Sequence, residues 1–178
     1  MLAEITREGD DLNWRVAEAP RALLTLVAAL AAGSATATPS LQTTAINSSL
    51  ALAHIAWASP ELAQQVAELP GALPTLVAAV APSLKVAAKN SSMALCDISM
   101  AGPELARRVA EVPGALAALV SAVAAGHNSG VPRLQEMAAQ SAKVLDCITW
   151  DDSELALRVA EVPGALPTLV AAVAGGAG

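Results

Sequence analysis

Apolar and polar residues follow one another along this chain with the period of an α-helix, and one particular pattern returns three times. Ala45, Ser48, Leu52 and Ile55 are spaced 3, 4 and 3 residues apart, as are Ala88, Ser91, Leu95 and Ile98, and again Ala138, Ser141, Leu145 and Ile148. That spacing keeps each set on one face of a helix. It predicts three long helices, one of them over Pro82 to Met100, each with a stripe that faces a core. A second stripe runs beside the first with the same spacing. It comprises Asn47, Leu50, His54 and Trp57; Asn90, Met93, Asp97 and Met100; and Gln140, Lys143, Cys147 and Trp150. If this stripe only packed on a neighbouring repeat, small apolar residues would be expected, as on the core stripe. Amides, charges, His, Met and Trp side by side are instead the mixture found at binding hot spots.

The segments between these helices repeat as well. LNWRVAEAPRALLTLVAAL, LAQQVAELPGALPTLVAAV, LARRVAEVPGALAALVSAV and LALRVAEVPGALPTLVAAV align without gaps, and their central residues Val16, Val66, Val109 and Val159 lie 50, 43 and 50 residues apart. Self-similarity at such a period is the signature of stacked helical repeats. Pro39, Pro82 and Pro132 each stand 27 residues before the next central valine. The extra seven residues of the longer repeats therefore precede that proline, in the Gly- and Ser-rich stretches near Gly33 and Gly126, which are expected to be loops.

Each repeat reads as three helices. A short first helix follows Pro60, Pro103 or Ser153, with Glu61, Glu104 or Glu154 placed to favour the positive end of its dipole. A second helix follows Pro70-Gly71, Pro113-Gly114 or Pro163-Gly164, and Pro74 and Pro167 fall in its first turn, where the missing N–H costs little. Arg21 takes the glycine's place in the first repeat. Arg15, Arg108 and Arg158 share one position of the first helix, with acids four residues before and three after. They form either a solvated charge ladder or one that links repeats.

These residues resemble armadillo repeats. The match rests on Gly71-Ala72-Leu73-Pro74-Thr75-Leu76-Val77 and Gly164-Ala165-Leu166-Pro167-Thr168-Leu169-Val170 in the second helix, and on Ala51-Leu52-Ala53-His54-Ile55-Ala56 and Ala94-Leu95-Cys96-Asp97-Ile98-Ser99 in the third. It covers nearly the whole chain; HEAT repeats, with two helices per unit, are the nearest structural alternative. The resemblance implies an all-α, right-handed solenoid with third helices lining a concave groove that binds a protein or peptide. About three full repeats are expected, over 9–58, 59–101 and 102–151. The tail of a third helix at 1–8 and a partial repeat at 152–178 flank them in a single domain. In many members an Asn near the end of the third helix pairs with the peptide backbone, and a Trp four residues earlier shapes pockets. Here the Asn positions hold His54, Asp97 and Cys147, and the Trp positions Leu50, Met93 and Lys143. That departure argues against the basic-peptide recognition those two residues serve.

Composition narrows the function. Hydrophobic residues make up 54% of the 178, but Phe and Tyr are absent, so the core is built from Ala, Val and Leu. A net charge of −6 with scattered Lys and Arg argues against nucleic acid and against an anionic membrane surface. No apolar run reaches the roughly 18 residues of a membrane span, so no membrane insertion is expected. Cys96 and Cys147 fit neither a disulfide framework nor a zinc motif and read as free thiols of an intracellular, cytoplasmic protein. No nucleophile–base set, phosphate loop or paired carboxylates stand out, so no catalytic residue, cofactor or metal is expected. The reading is a non-enzymatic interaction scaffold using the second stripe. The alternative is a structural subunit or fragment of a large assembly that packs through its solenoid ends and convex face. Its end helices remain apolar, so self-association through open ends is a further expectation.

Overall fold

The computed structural model describes residues 10–19, 21–127, 129–150 and 152–175. The expected third-helix tail at 1–8 lies outside them. Among the described residues every regular element is helical. In chain order these are α1 (Asp10–Glu18), α2 (Ala22–Ser34), α3 (Pro39–Ala58), α4 (Pro60–Glu68), α5 (Ala72–Ala79), a 3-10 turn (Pro82–Leu84), α6 (Val86–Met100), α7 (Pro103–Glu111), α8 (Ala115–His127), α9 (Pro132–Thr149), α10 (Ser153–Glu161) and α11 (Ala165–Gly175). The long helices α3, α6 and α9 pack side by side in chain order. The helices α2, α5, α8 and α11 form a second row, in which α2, α5 and α8 each lie against the long helix that follows. Each of α4 and α7 touches the long helix before it and the one after it. Among the described residues no single helix is long and apolar enough to cross a membrane.

Local chemistry sets where these helices begin and turn. The Leu62 N–H donates to Ser59 Oγ at 3.2 Å, and the Leu155 N–H to Asp152 Oδ1 at 3.0 Å. Each such cap stabilises a helix start by about 1 kcal/mol. Leu69, Val112 and Val162 are extended, as residues before proline must be. The chain then turns sharply, by 91° between α7 and α8 and by 100° between α10 and α11. Gly71, Gly114 and Gly164 make this turn with φ of 75°, 81° and 80°. Arg21 adopts the same left-handed geometry with φ of 65°, at a cost of about 1–2 kcal/mol that glycine avoids.

All twelve residues of the first stripe are buried, from Ala45 to Ile148. Each fully buried Leu or Ile stabilises the fold by about 1.5–3 kcal/mol relative to exposure. The expectation for the longer repeats needs correction. Gly33 and Gly126 are not loop glycines but lie within α2 and α8. A Cβ at Gly33 would run into the Leu41 carbonyl and Ala45, and one at Gly126 into the Leu134 carbonyl and Ala138. Their lack of a side chain lets the second helix touch the start of the third. Much of the extra length is thus helix: α2 and α8 have 13 residues each and α5 has 8. The expected helix from Pro82 to Met100 is likewise interrupted. Its start is a 3-10 turn, Lys85 follows with φ of 29°, and α6 begins at Val86. In the longer repeats the position of Lys85 holds Gln42 and Gln135, whose amides donate to the Thr36 and Ser129 carbonyls at 3.2 and 2.8 Å. Those bonds tie the preceding loop to the helix.

Candidate partner-binding surface

The twelve residues of the second stripe separate into three groups. At the start of the stripe, Asn47 is exposed and Gln140 half-buried, but Asn90 is buried. The Asn90 amide donates to the Ile46 carbonyl at 3.3 Å and to Ser49 Oγ at 3.2 Å, so it binds α6 to α3. Its place is in the packing between long helices, and not on an open face. Ser92 and Ser141 make the corresponding tie between α6 and α9, 3.1 Å apart. In the middle of the stripe Leu50, His54, Met93, Asp97 and Cys147 are half-buried and Lys143 is exposed. At its end stand Trp57, Met100 and Trp150, which are 71%, 67% and 74% exposed.

The helix explains this exposure. Trp57 and Met100 lie two residues beyond Ile55 and Ile98, which places them about 200° around the helix from a core contact. Trp150 follows the last residue of α9, with its backbone already extended, so it continues the row from just past the helix end. The Cys96 thiol donates to Met100 Sδ at 3.7 Å.

Two pockets lie along this row, one repeat apart. The first, of about 270 Å³, is lined by Trp57, Asp97 and Met100 together with Ala56, Ser59, Pro60 and Ala101. The second, of about 380 Å³, is lined by Cys147 and Trp150 with Pro103, Glu104, Arg107, Ile148, Asp152 and Leu155. They occupy equivalent places: Pro60, Asp97 and Met100 in one correspond to Pro103, Cys147 and Trp150 in the other. Each is bounded by the end of a long helix and the first turn of a short one.

Their chemistry differs. In the first, burial pushes the Asp97 carboxyl up to about 6, and the nearby Lys143 opposes that rise. Asp97 Oδ2 is buried without a hydrogen-bond partner. Burial also raises the Cys96 thiol, to about 11, with Asp97 adding to the effect, and raises the Cys147 thiol. Neither thiol is a ready nucleophile, because thiolate is the reactive form. In the second pocket Arg107 and Asp152 form an ion pair at 2.5 Å. The same carboxylate caps α10 through its other oxygen, so one side chain starts a helix and clamps two repeats.

The walls from the short helices were not among the residues that periodicity singles out. Pro60 and Pro103 signal helix starts in the sequence, but their place beside the tryptophan row depends on tertiary packing. Arg108, in the expected charge ladder, donates to the Ala67 carbonyl at 2.9 Å, a contact between repeats. Among the described residues no three His, Cys, Asp or Glu side chains are grouped to hold a metal ion. No protein-family model and no curated protein sequence matches this chain.

Proposed function

We propose that the chain is a non-enzymatic protein–protein interaction scaffold. In this reading it is an armadillo-like right-handed solenoid of three-helix repeats, and a protein or peptide partner lies in a groove lined by α3, α6 and α9. The observation that carries the reading is the row of Trp57, Met100 and Trp150: three large apolar side chains at one repeat position, each about two-thirds exposed or more, beside pockets one repeat apart. Isolated exposed apolar residues are ordinary on a soluble surface. A periodic row beside pockets is what a binding face presents, since buried Trp anchors dominate many interfaces. An extended chain crossing the long helices would place successive side chains in the two pockets, the first with the Asp97 carboxyl in its wall, the second with the Arg107–Asp152 pair. The test is capture of partners from cell extract by the wild-type chain and by the Trp57→Ala/Trp150→Ala variant. Proteins retained by the first and lost by the second are the expected result. An identical set from both would remove the groove from the account.

A further inference from the structure

The long helices α6 and α9 are tied together at two levels. Lys89 Nζ lies 2.6 Å from Glu136 Oε2, and Ser92 Oγ lies 3.1 Å from Ser141 Oγ. Both members of the second pair stand later in their helices than those of the first, so the two helices run in the same direction. At about 1.5 Å per residue, Cys96 and Met100 lie about 6 and 12 Å beyond Ser92 along α6, and Cys147 lies about 9 Å beyond Ser141 along α9. Cys147 thus stands at a level between Cys96 and Met100, across the seam between the helices. The Cys96 and Met100 sulfurs are in contact at 3.7 Å. Two sulfurs each about 2.3 Å from one metal ion, at an angle of about 110–120°, stand about 3.8–4.0 Å apart. The pair on α6 therefore already has nearly the spacing of two ligands. The second thiol is close as well: burial raises the Cys96 thiol most, Asp97 next, and Cys147 adds to both.

We propose that Cys96 Sγ, Cys147 Sγ and Met100 Sδ form a three-coordinate binding site for copper(I). Two thiolates and a thioether are a soft donor set, which selects copper(I). Zinc would need a fourth ligand, and the thioether of Met100 is the third donor here, because among the described residues no three His, Cys, Asp or Glu side chains are grouped to hold a metal ion. Binding forms two copper–thiolate bonds, releases the two thiol protons to solvent and takes a lone pair from Met100; no electron is transferred. Two thiolates and the ion leave one net negative charge, which the ammonium of Lys143, close enough to act on Cys96, offsets. Cys96 is buried, Cys147 half-buried and Met100 67% exposed, so copper enters from the Met100 side. The site shares Met100 with the tryptophan row but does not rest on the partner groove.

The full chain, reduced and held without oxygen, is titrated against the copper(I)–bicinchoninate complex, whose loss of colour reports transfer. One copper per chain is expected to move, and X-ray absorption should find sulfur alone around the ion at about 2.3 Å. Cys147→Ser should weaken binding by more than the roughly 10–100-fold that loss of an outer-shell partner costs. Met100→Leu should weaken it about tenfold. Neither side chain is fully buried, so both variants should keep the wild-type circular dichroism and melting transition in the absence of copper. Failure of the folded wild-type chain to take copper from the complex overturns the proposal. So does a Cys147→Ser variant that binds as the wild type does, since Cys96 would then act without it. Unchanged affinity in Met100→Leu removes the third ligand and overturns the three-coordinate site. Transfer of two copper ions per chain, one of them lost with each cysteine, would mean adventitious binding at separate thiols and overturn it equally.

Discussion

On α6, Ser91, Leu95 and Ile98 have no exposed surface, while Met100, two residues beyond Ile98, is 67% exposed. The same division runs along α3, between Ile55 and Trp57, and at the end of α9, between Ile148 and Trp150. One face of each long helix holds the repeat together and is nearly uniform from copy to copy. The opposite face varies, and at its open end it carries Trp57, Met100 and Trp150, of which the two tryptophans are larger than any fully buried core side chain. Uniform packing beside a varied surface lets a repeat fold be kept while its recognition changes. Asn90 marks where the division fails: its position lies on the varied stripe, yet it is spent on bonds to α3.

The comparison can be tested from its strong side first. Leu95→Ala removes a fully buried side chain from the middle of the array. It should lower stability by about 2–5 kcal/mol, read from the denaturant midpoint. A loss well under 1 kcal/mol would mean that the stripe is not the core. Gly126→Ala should also destabilise, by about 1–3 kcal/mol, because the new methyl meets the Leu134 carbonyl and Ala138. An ordinary exposed helical glycine would gain stability from the same change. A rise in melting temperature would thus show that Gly126 is not a contact point.

Asp97 sharpens the comparison within the varied stripe. Its carboxyl is raised from 3.8 to about 6, chiefly by burial, so the folded chain holds this proton more tightly than the unfolded chain does. Stability should therefore be greatest at low pH, where both states are protonated. It should fall as pH rises from about 4 to about 6, where the unfolded group ionises first, and level off above. Other carboxylates titrate in the same range, so the quantity to measure is the difference in stability between wild type and Asp97→Asn. That difference should move in favour of the variant over this interval. A difference that does not change with pH would mean Asp97 is freely solvated.

Much of this division was legible in the sequence. The 3, 4, 3 spacing identified all twelve buried stripe residues, because burial on a helix follows a fixed angular period. The Pro-Gly pairs ending at Gly71, Gly114 and Gly164 marked where the second helices begin, while the left-handed conformation of those glycines and of Arg21 emerged only from the structure. Gly33 and Gly126 were misread because a glycine in a helix contact and a glycine in a loop look alike from composition alone. Only the distance to the following helix separates them. The break at Lys85 was hidden for a similar reason: periodicity continues through Val86 whether or not the first turn is α-helical. Within the candidate site, the row of Trp57, Met100 and Trp150 was visible as a repeat position. The walls from Pro60, Pro103 and Arg107 were not, since they come from a different helix brought alongside by packing.

The smallest expected effect on stability is also the most direct test of the central claim, that the two faces do separate work. Trp57→Ala and Trp150→Ala combined should leave the thermal transition close to wild type, since both side chains are more than 70% exposed. Partner binding per folded molecule should fall by tenfold or more, the loss expected when buried anchors contributing on the order of 2 kcal/mol are removed. A large drop in melting temperature with binding per folded molecule intact would contradict the account and make the tryptophan row part of the packing.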